Sequence, residues 1–158
     1  MWQRKQTLFL ALAALLAAAM YLLPLAAYTR LGSGDVVTLR LNGLFGADGR
    51  TLEPGPSIPL HWLNALLIAQ LVVTLALFNH RGRQRRIARL AFLFALGMIV
   101  GFVFTHNAVS SAMGTVASVK ATLLPAAYFP LAVLVLVLLA DRGIRQDEAL
   151  VRSVDRLR

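Results

Sequence analysis

His61 and His106 are the side chains best suited to coordination chemistry, since a neutral imidazole nitrogen ligates haem iron and transition metals. Both fall at ends of long apolar stretches, so two imidazoles facing each other across a helical bundle would form a haem or metal site. No carboxylate or third histidine stands at ligand spacing from either, and the sequence has no cysteine. Thiolate zinc sites, disulfides and cysteine nucleophiles are therefore excluded. The plainer reading is a pair of interfacial histidines bonded to water or backbone; no cofactor is expected, and His61 and His106 stand as candidates only. His80 lies among arginines and reads as solvated.

Gln70 and Thr74 lie four residues apart, on one face of any helix they share. Within an apolar stretch such a pair lines a solute path or holds helices together by hydrogen bonds. With no charge beside them, helix packing is the favoured reading. Gly97 and Gly101 form a small-xxx-small pair that permits close helix approach. Its partner would be the alanine-rich first helix, with Ala14 and Ala18, or a second copy of the chain. Every acidic residue lies outside the apolar stretches, which argues against a proton-coupled pump. No Ser-His-Asp set, His-Glu-x-x-His helix, phosphate-binding loop or buried carboxylate pair occurs. The chain is not expected to be an enzyme.

The basic residues carry a different message. Arg81, Arg83, Arg85, Arg86 and Arg89 sit together beside an apolar run. Juxtamembrane arginines fix topology and attract anionic lipid headgroups at about 1 kcal/mol each. The tail from Asp141 to Arg158 reads as a charged amphipathic helix, with Leu150, Val154 and Leu157 on one face and Gly143 as its joint to the preceding span. Asp141 with Arg145, and Glu148 with Arg152, are i, i+4 pairs of the favoured order. Asp147, Glu148, Arg152, Asp155 and Arg156 would form a docking surface for a protein partner.

The elements that must position these residues follow from composition and hydropathy. The 158 residues are 58% hydrophobic and 15% charged, against roughly 45–50% and about 25% in a soluble domain. A soluble protein this small could not bury that much apolar surface. The net charge of +9 would suggest nucleic acid in a soluble protein, but here the basic residues flank apolar runs, and lipid headgroups are the nearer partner. No nucleic-acid partner is expected.

Four runs, Thr7 to Tyr28, Leu60 to Phe78, Ile87 to Phe104 and Leu123 to Ala140, match a hydrocarbon layer of about 30 Å. The expectation is an all-α integral membrane protein: four transmembrane helices in a bundle, as one domain. The first run follows Arg4 and Lys5 as a secretory signal would. It is longer than the usual apolar region, however, and Leu25-Ala26-Ala27 is a poor cleavage site, so it reads as a retained span. Arginine and lysine concentrate at the N-terminus, in the Arg81–Arg89 segment and in the tail, while Arg30, Arg40, Arg50 and Lys120 fall on the other side. Both termini are then cytoplasmic.

The long outer connection from Thr29 to Pro59 has strand character at Val36 to Leu41. Asn42-Gly43 or Asp48-Gly49 could turn it back as a small hairpin, near an aromatic belt formed by Tyr28 and Trp62. The outer connection from Thr105 to Thr122 is small and polar, and Pro130 reads as a kink in the fourth helix.

The opening Met1-Trp2-Gln3-Arg4-Lys5-Gln6-Thr7-Leu8, running on to Leu22-Leu23-Pro24-Leu25, resembles the start of a membrane-protein family found mainly in Bacteroidetes and described only as domain of unknown function 4293. The ending from Arg142-Gly143-Ile144-Arg145-Gln146-Asp147-Glu148-Ala149-Leu150 to Arg158 resembles that family's C-terminal end more closely still. The resemblance covers the whole chain in layout, with its specific motifs at the two ends. Trp2 and Lys5 stand where aliphatic residues would be expected, and Val154 where alanine would. The resemblance implies four spans in a bacterial inner membrane and carries over no reaction, ligand or catalytic residue.

Three functions stay open on these residues. The first is a non-catalytic scaffold or accessory subunit docking through its tail. The second is a transporter or channel subunit for a small solute, with Gln70 and Thr74 on its path. The third is a haem or metal protein using His61 and His106.

Overall fold

The computed structural model describes residues 5–32, 34–52, 58–77, 81–114 and 119–155. Helix α1 (Lys5–Ala19) leads into strands β1 (Ala26–Arg30), β2 (Val36–Arg40) and β3 (Gly43–Phe45). Helices α2 (Leu60–Ala76) and α3 (Arg81–Met113), strand β4 (Val119–Leu123) and helix α4 (Phe129–Asp155) follow, with a 3-10 turn at Pro125–Tyr128 ahead of α4.

Each helix turns one stripe inward. The buried positions are Gln6, Leu10, Ala13 and Ala17 on α1, and Leu60, Asn64, Leu67, Leu71 and Thr74 on α2. On α3 they include Gln84, Ala88, Ala91, Ala95, Met98, Phe102, Thr105 and Val109; on α4, Val133, Val137, Ala140 and Ile144. These steps alternate between three and four residues, the repeat of coiled-coil seams and four-helix bundles. The helices close into a ring in which α1 packs on α4 and α2, and α3 on α2 and α4. Alanines in the seams of α1 and α3 let backbones approach closely.

The same repeat leaves many large apolar side chains outside. Leu8, Leu12 and Leu15 on α1, Leu66, Val72 and Val73 on α2, Leu93, Val100 and Phe104 on α3, and Leu131, Val135 and Leu138 on α4 are all exposed. A water-soluble bundle would carry polar residues at such positions.

A four-stranded antiparallel sheet in the order β3-β2-β1-β4 covers one end of the bundle. Ala26 pairs with both Leu39 and Leu123, and Tyr28 with both Val37 and Ala121. Strands β2 and β3 form a hairpin around Leu41-Asn42, with Arg40 opposite Gly43. Gly43 and Gly49 adopt φ of 149° and 74°, in the region that favours glycine. The Asp48-Gly49 turn brings Thr51 back beside Phe45. Arg30 Nη2 donates to the Met113 carbonyl at 3.4 Å, tying β1 to the last turn of α3.

Several expectations are corrected here. The fold is not all-α, because the sheet draws strands from both outer connections. Nor is it a bundle of four transmembrane helices. Among the described residues only Arg86–Met113 and Pro125–Gln146 are long and apolar enough, by length and composition, to cross a membrane. Helices α1 and α2 have 15 and 17 residues, or ~22 and ~26 Å at 1.5 Å per residue.

The first apolar run ends as helix at Ala19, ahead of Pro24, whose ring and missing N–H oppose an interior helical position. Its last residues, from Ala26 to Tyr28, belong to β1. The fourth run starts as strand, and Pro130 occupies the second residue of α4, where no intrahelical N–H bond is lost. The arginine segment is helical from Arg81 onward. The tail is not a separate amphipathic helix. Helix α4 runs unbroken through Gly143 to Asp155, and Gly143 is a contact point, where an added Cβ would lie 3.3 Å from Gln6 Cβ.

Gly97 and Gly101 face α2 rather than α1. A Cβ at Gly101 would meet Leu60 Cδ2 at 3.1 Å, whereas one at Gly97 would sit 3.9 Å from Leu63 Cδ2. Gly101→Leu should therefore overpack the α2–α3 contact and cost about 1–3 kcal/mol. Gly97→Ala should be neutral or stabilising by up to ~1 kcal/mol through helix propensity. Thermal unfolding in detergent micelles distinguishes the two.

Candidate functional site

The sheet and the end of α3 border a polar recess. Its walls are His106, Asn107, Ser110, Ser111 and Gly114 from the last turns of α3, with Val119 and Ala121 of β4 opposite, around a volume of about 670 Å³. Alternation along β4 directs Val119 and Ala121 to this side.

His106 is held at the inner wall. Its Nδ1 lies 2.8 Å from the Tyr28 hydroxyl, and its ring leans on those of Tyr28 and Phe102 at centroid distances of 5.5 and 6.1 Å. Tyr28 is fully buried, and burial pushes its phenol up to about 12. The phenol therefore keeps its proton and can donate it to Nδ1, which leaves the imidazole proton on Nε2. The Ser110 hydroxyl is buried without a hydrogen-bond partner, so no base activates it as a nucleophile. The described lining carries no charged side chain. The described lining thus offers neutral donors and acceptors, suited to holding an uncharged polar group.

Tyr28 is not part of an aromatic belt. Exposed aromatics toward this end of the bundle include Trp62, at the start of α2, Phe104 on α3 and Tyr128, ahead of α4. The His61 ring lies against Trp62, and its carbonyl accepts from the Tyr21 hydroxyl at 2.5 Å. The two histidines thus have different ring neighbours. Among the described residues no group of three His, Cys, Asp or Glu side chains could hold a metal ion.

Three inward amides are bonded across helices. Gln70 Nε2 donates to the Ile87 carbonyl at 2.9 Å, and Gln84 Nε2 to the Thr74 carbonyl at 3.2 Å, so α2 and α3 are joined in both directions. The Thr74 hydroxyl donates to the Gln70 carbonyl. Asn64 Nδ2 donates to the Ala17 carbonyl at 2.9 Å, joining α2 to α1. The sequence reading missed Asn64 and Gln84, and set Tyr28 in an aromatic belt rather than beside His106. For Asn64 and Gln84 the available signal was an amide at a seam position between apolar neighbours.

At the opposite end, Arg86 and Arg89 are exposed on α3. Arg81, Arg83 and Arg85 lie on its first turns, with side chains outside the described ones. Asp147, Glu148, Arg152 and Asp155 lie on α4, again without described side chains, while His80 and Arg156 lie outside the described residues.

Because the folded state retains the Tyr28 proton where the unfolded chain has lost it, stability should be complete below about pH 10 and fall as the pH rises towards about 12. Unfolding midpoints measured across that window should decline in the native protein. Tyr28→Phe should flatten the decline; an unchanged slope in that variant would assign the loss to other groups.

No curated protein matches the chain. The family model described as Domain of unknown function (DUF4293) matches residues 2–157, nearly the full length, and the chain belongs to that family.

Proposed function

We propose that the protein is a non-catalytic scaffold or accessory subunit of a bacterial inner membrane, held there by α3 and α4 as a multi-pass protein. Helices α1 and α2 pack against those two within the same apolar layer. The outward-facing apolar side chains on the helices support the membrane setting. The arginines at the start of α3 and the end of α4 favour a cytoplasmic location for that end, with the sheet on the outer side.

One observation carries the non-catalytic reading. Three amide side chains inside the bundle, Asn64, Gln70 and Gln84, donate to backbone carbonyls of a neighbouring helix. They serve as struts between helices, and the Thr74 hydroxyl is turned back onto the Gln70 carbonyl. Among the described residues, the lining of the polar recess carries no charged side chain. The continuous α4 supports docking through its final turns, whose sequence carries Asp147, Glu148, Arg152 and Asp155.

Cross-linking in native membranes, followed by purification in mild detergent, should recover a defined protein partner, and deletion of residues 147–158 should abolish its recovery. Recovery of the chain alone under every mild condition would sink the accessory-subunit reading. Alkaline carbonate should leave the protein in the membrane pellet. Flux of small solutes in liposomes, unchanged by Gln70→Leu and equal to that of empty liposomes, is the expected result against a transport role.

A further inference from the structure

An apolar groove of about 380 Å³ runs between α3 and α4 near their arginine-rich ends. Its floor is formed by Phe92, Leu93, Val137 and Leu138, and its mouth by Arg89, Asp141 and Arg145. Polarity therefore grades along it, apolar toward the middle of both candidate spans and cationic at their ends. Arg89 is exposed and forms no ion pair among the described residues. Arg145 is held by the carboxylate of Asp141, one turn earlier, and keeps half its side chain exposed. That pair fixes the guanidinium at the mouth, and its remaining N–H groups are free to meet an oxyanion. Two arginines against one carboxylate leave the mouth with a net charge of +1.

We infer that this groove is a binding site for one anionic phospholipid. An acyl chain lies along Phe92, Leu93, Val137 and Leu138, and the phosphodiester sits between Arg89 and Arg145. Charge complementarity commits the site to this occupant. A fully apolar ligand would leave Arg89 unpartnered, a zwitterionic lipid would leave the surplus positive charge unbalanced, and a soluble phosphate would leave the apolar floor uncovered. Basic recesses between membrane helices on the cytoplasmic side suit anionic headgroups for the same reason. The inference rests on the membrane reading proposed above.

The test is native mass spectrometry of the full chain in detergent, titrated with phosphatidylglycerol or with phosphatidylcholine of the same acyl chains. The native protein should retain one phosphatidylglycerol in preference to phosphatidylcholine. Arg89→Gln and Arg145→Gln should each lower its retention by about fivefold. Arg50→Gln, at the sheet end, should leave retention unchanged.

Leu138→Trp, which fills the floor and keeps both arginines, should also abolish retention, so the proposal stays testable if an arginine variant fails to fold. Equal retention of both lipids, or retention unaffected by Arg89→Gln and Leu138→Trp, overturns the site. Displacement of the lipid by free glycerol phosphate would show a phosphate site and overturn the lipid assignment. Release of the protein from membranes by carbonate would count against the membrane setting, and is scored separately from lipid retention in detergent.

Discussion

The inward stripe on each helix is narrow, about two residues in seven, and this limits how much of the apolar surface the protein can hide from its surroundings. Alanines at positions 13, 17, 88, 91 and 95 fill the stripe with small side chains, so the helices approach closely but bury little bulk. Many large side chains, among them Leu8, Leu15, Leu93 and Phe104, point outward. A fold organised in this way leaves a surface that water opposes and hydrocarbon accepts, since lipid tails are as apolar as leucine. The seam therefore sets both the interior packing and the solvent the exterior requires.

Apolar surroundings also govern the backbone. Strand β1 has Ala26 and Tyr28 buried against the helix ends, and its N–H and C=O groups need partners on both edges. Strand β2 supplies one edge and β4 the other. These neighbours come from two connections separated by α2 and α3, so closing the sheet also fixes the order in which the helices return to it. The amide struts do the equivalent work between helices. Asn64 bonds α1 to α2 near the sheet, while Gln70 and Gln84 bond α2 to α3 at the other end. Polar residues in an apolar seam specify register even where each contributes little stability.

The apolar runs were legible in the sequence because hydropathy averages over many residues, and each contains a helix in the structure. The boundaries were less so. Ala26, Ala27 and Tyr28 extend an apolar run without changing its average, although Pro24 marks a place where a helix interior is unfavourable. Strand β4, at Val119–Leu123, is short and adjoins the fourth run, so hydropathy assigned Leu123 to a helix. Gly143 looked like a joint by composition, but close packing against Gln6 gives a helical glycine a purpose that composition does not express. Of the candidate site, His106 was visible as a residue type. Its partner Tyr28 lies 78 positions away, a pairing that only the sheet's long-range register creates.

That pairing links the recess to the architecture. The Tyr28 hydroxyl comes from the central strand of the sheet and His106 from the longest helix, so one hydrogen bond spans the junction between the two layers. Neither partner can shift without disturbing the other's packing. Tyr28 is pinned by the backbone ladders of β1, and His106 by the same helix that carries the arginines at its opposite end. Helix α3 has 33 residues, or ~50 Å at 1.5 Å per residue, and is continuous from the arginine-rich end to the recess. A group seated against His106 and a lipid seated against Arg89 would thus act on one rigid element. Any coupling between the ends would run through tilt or translation of α3 against α2 and α4, whose amide struts and small-residue seams resist such movement.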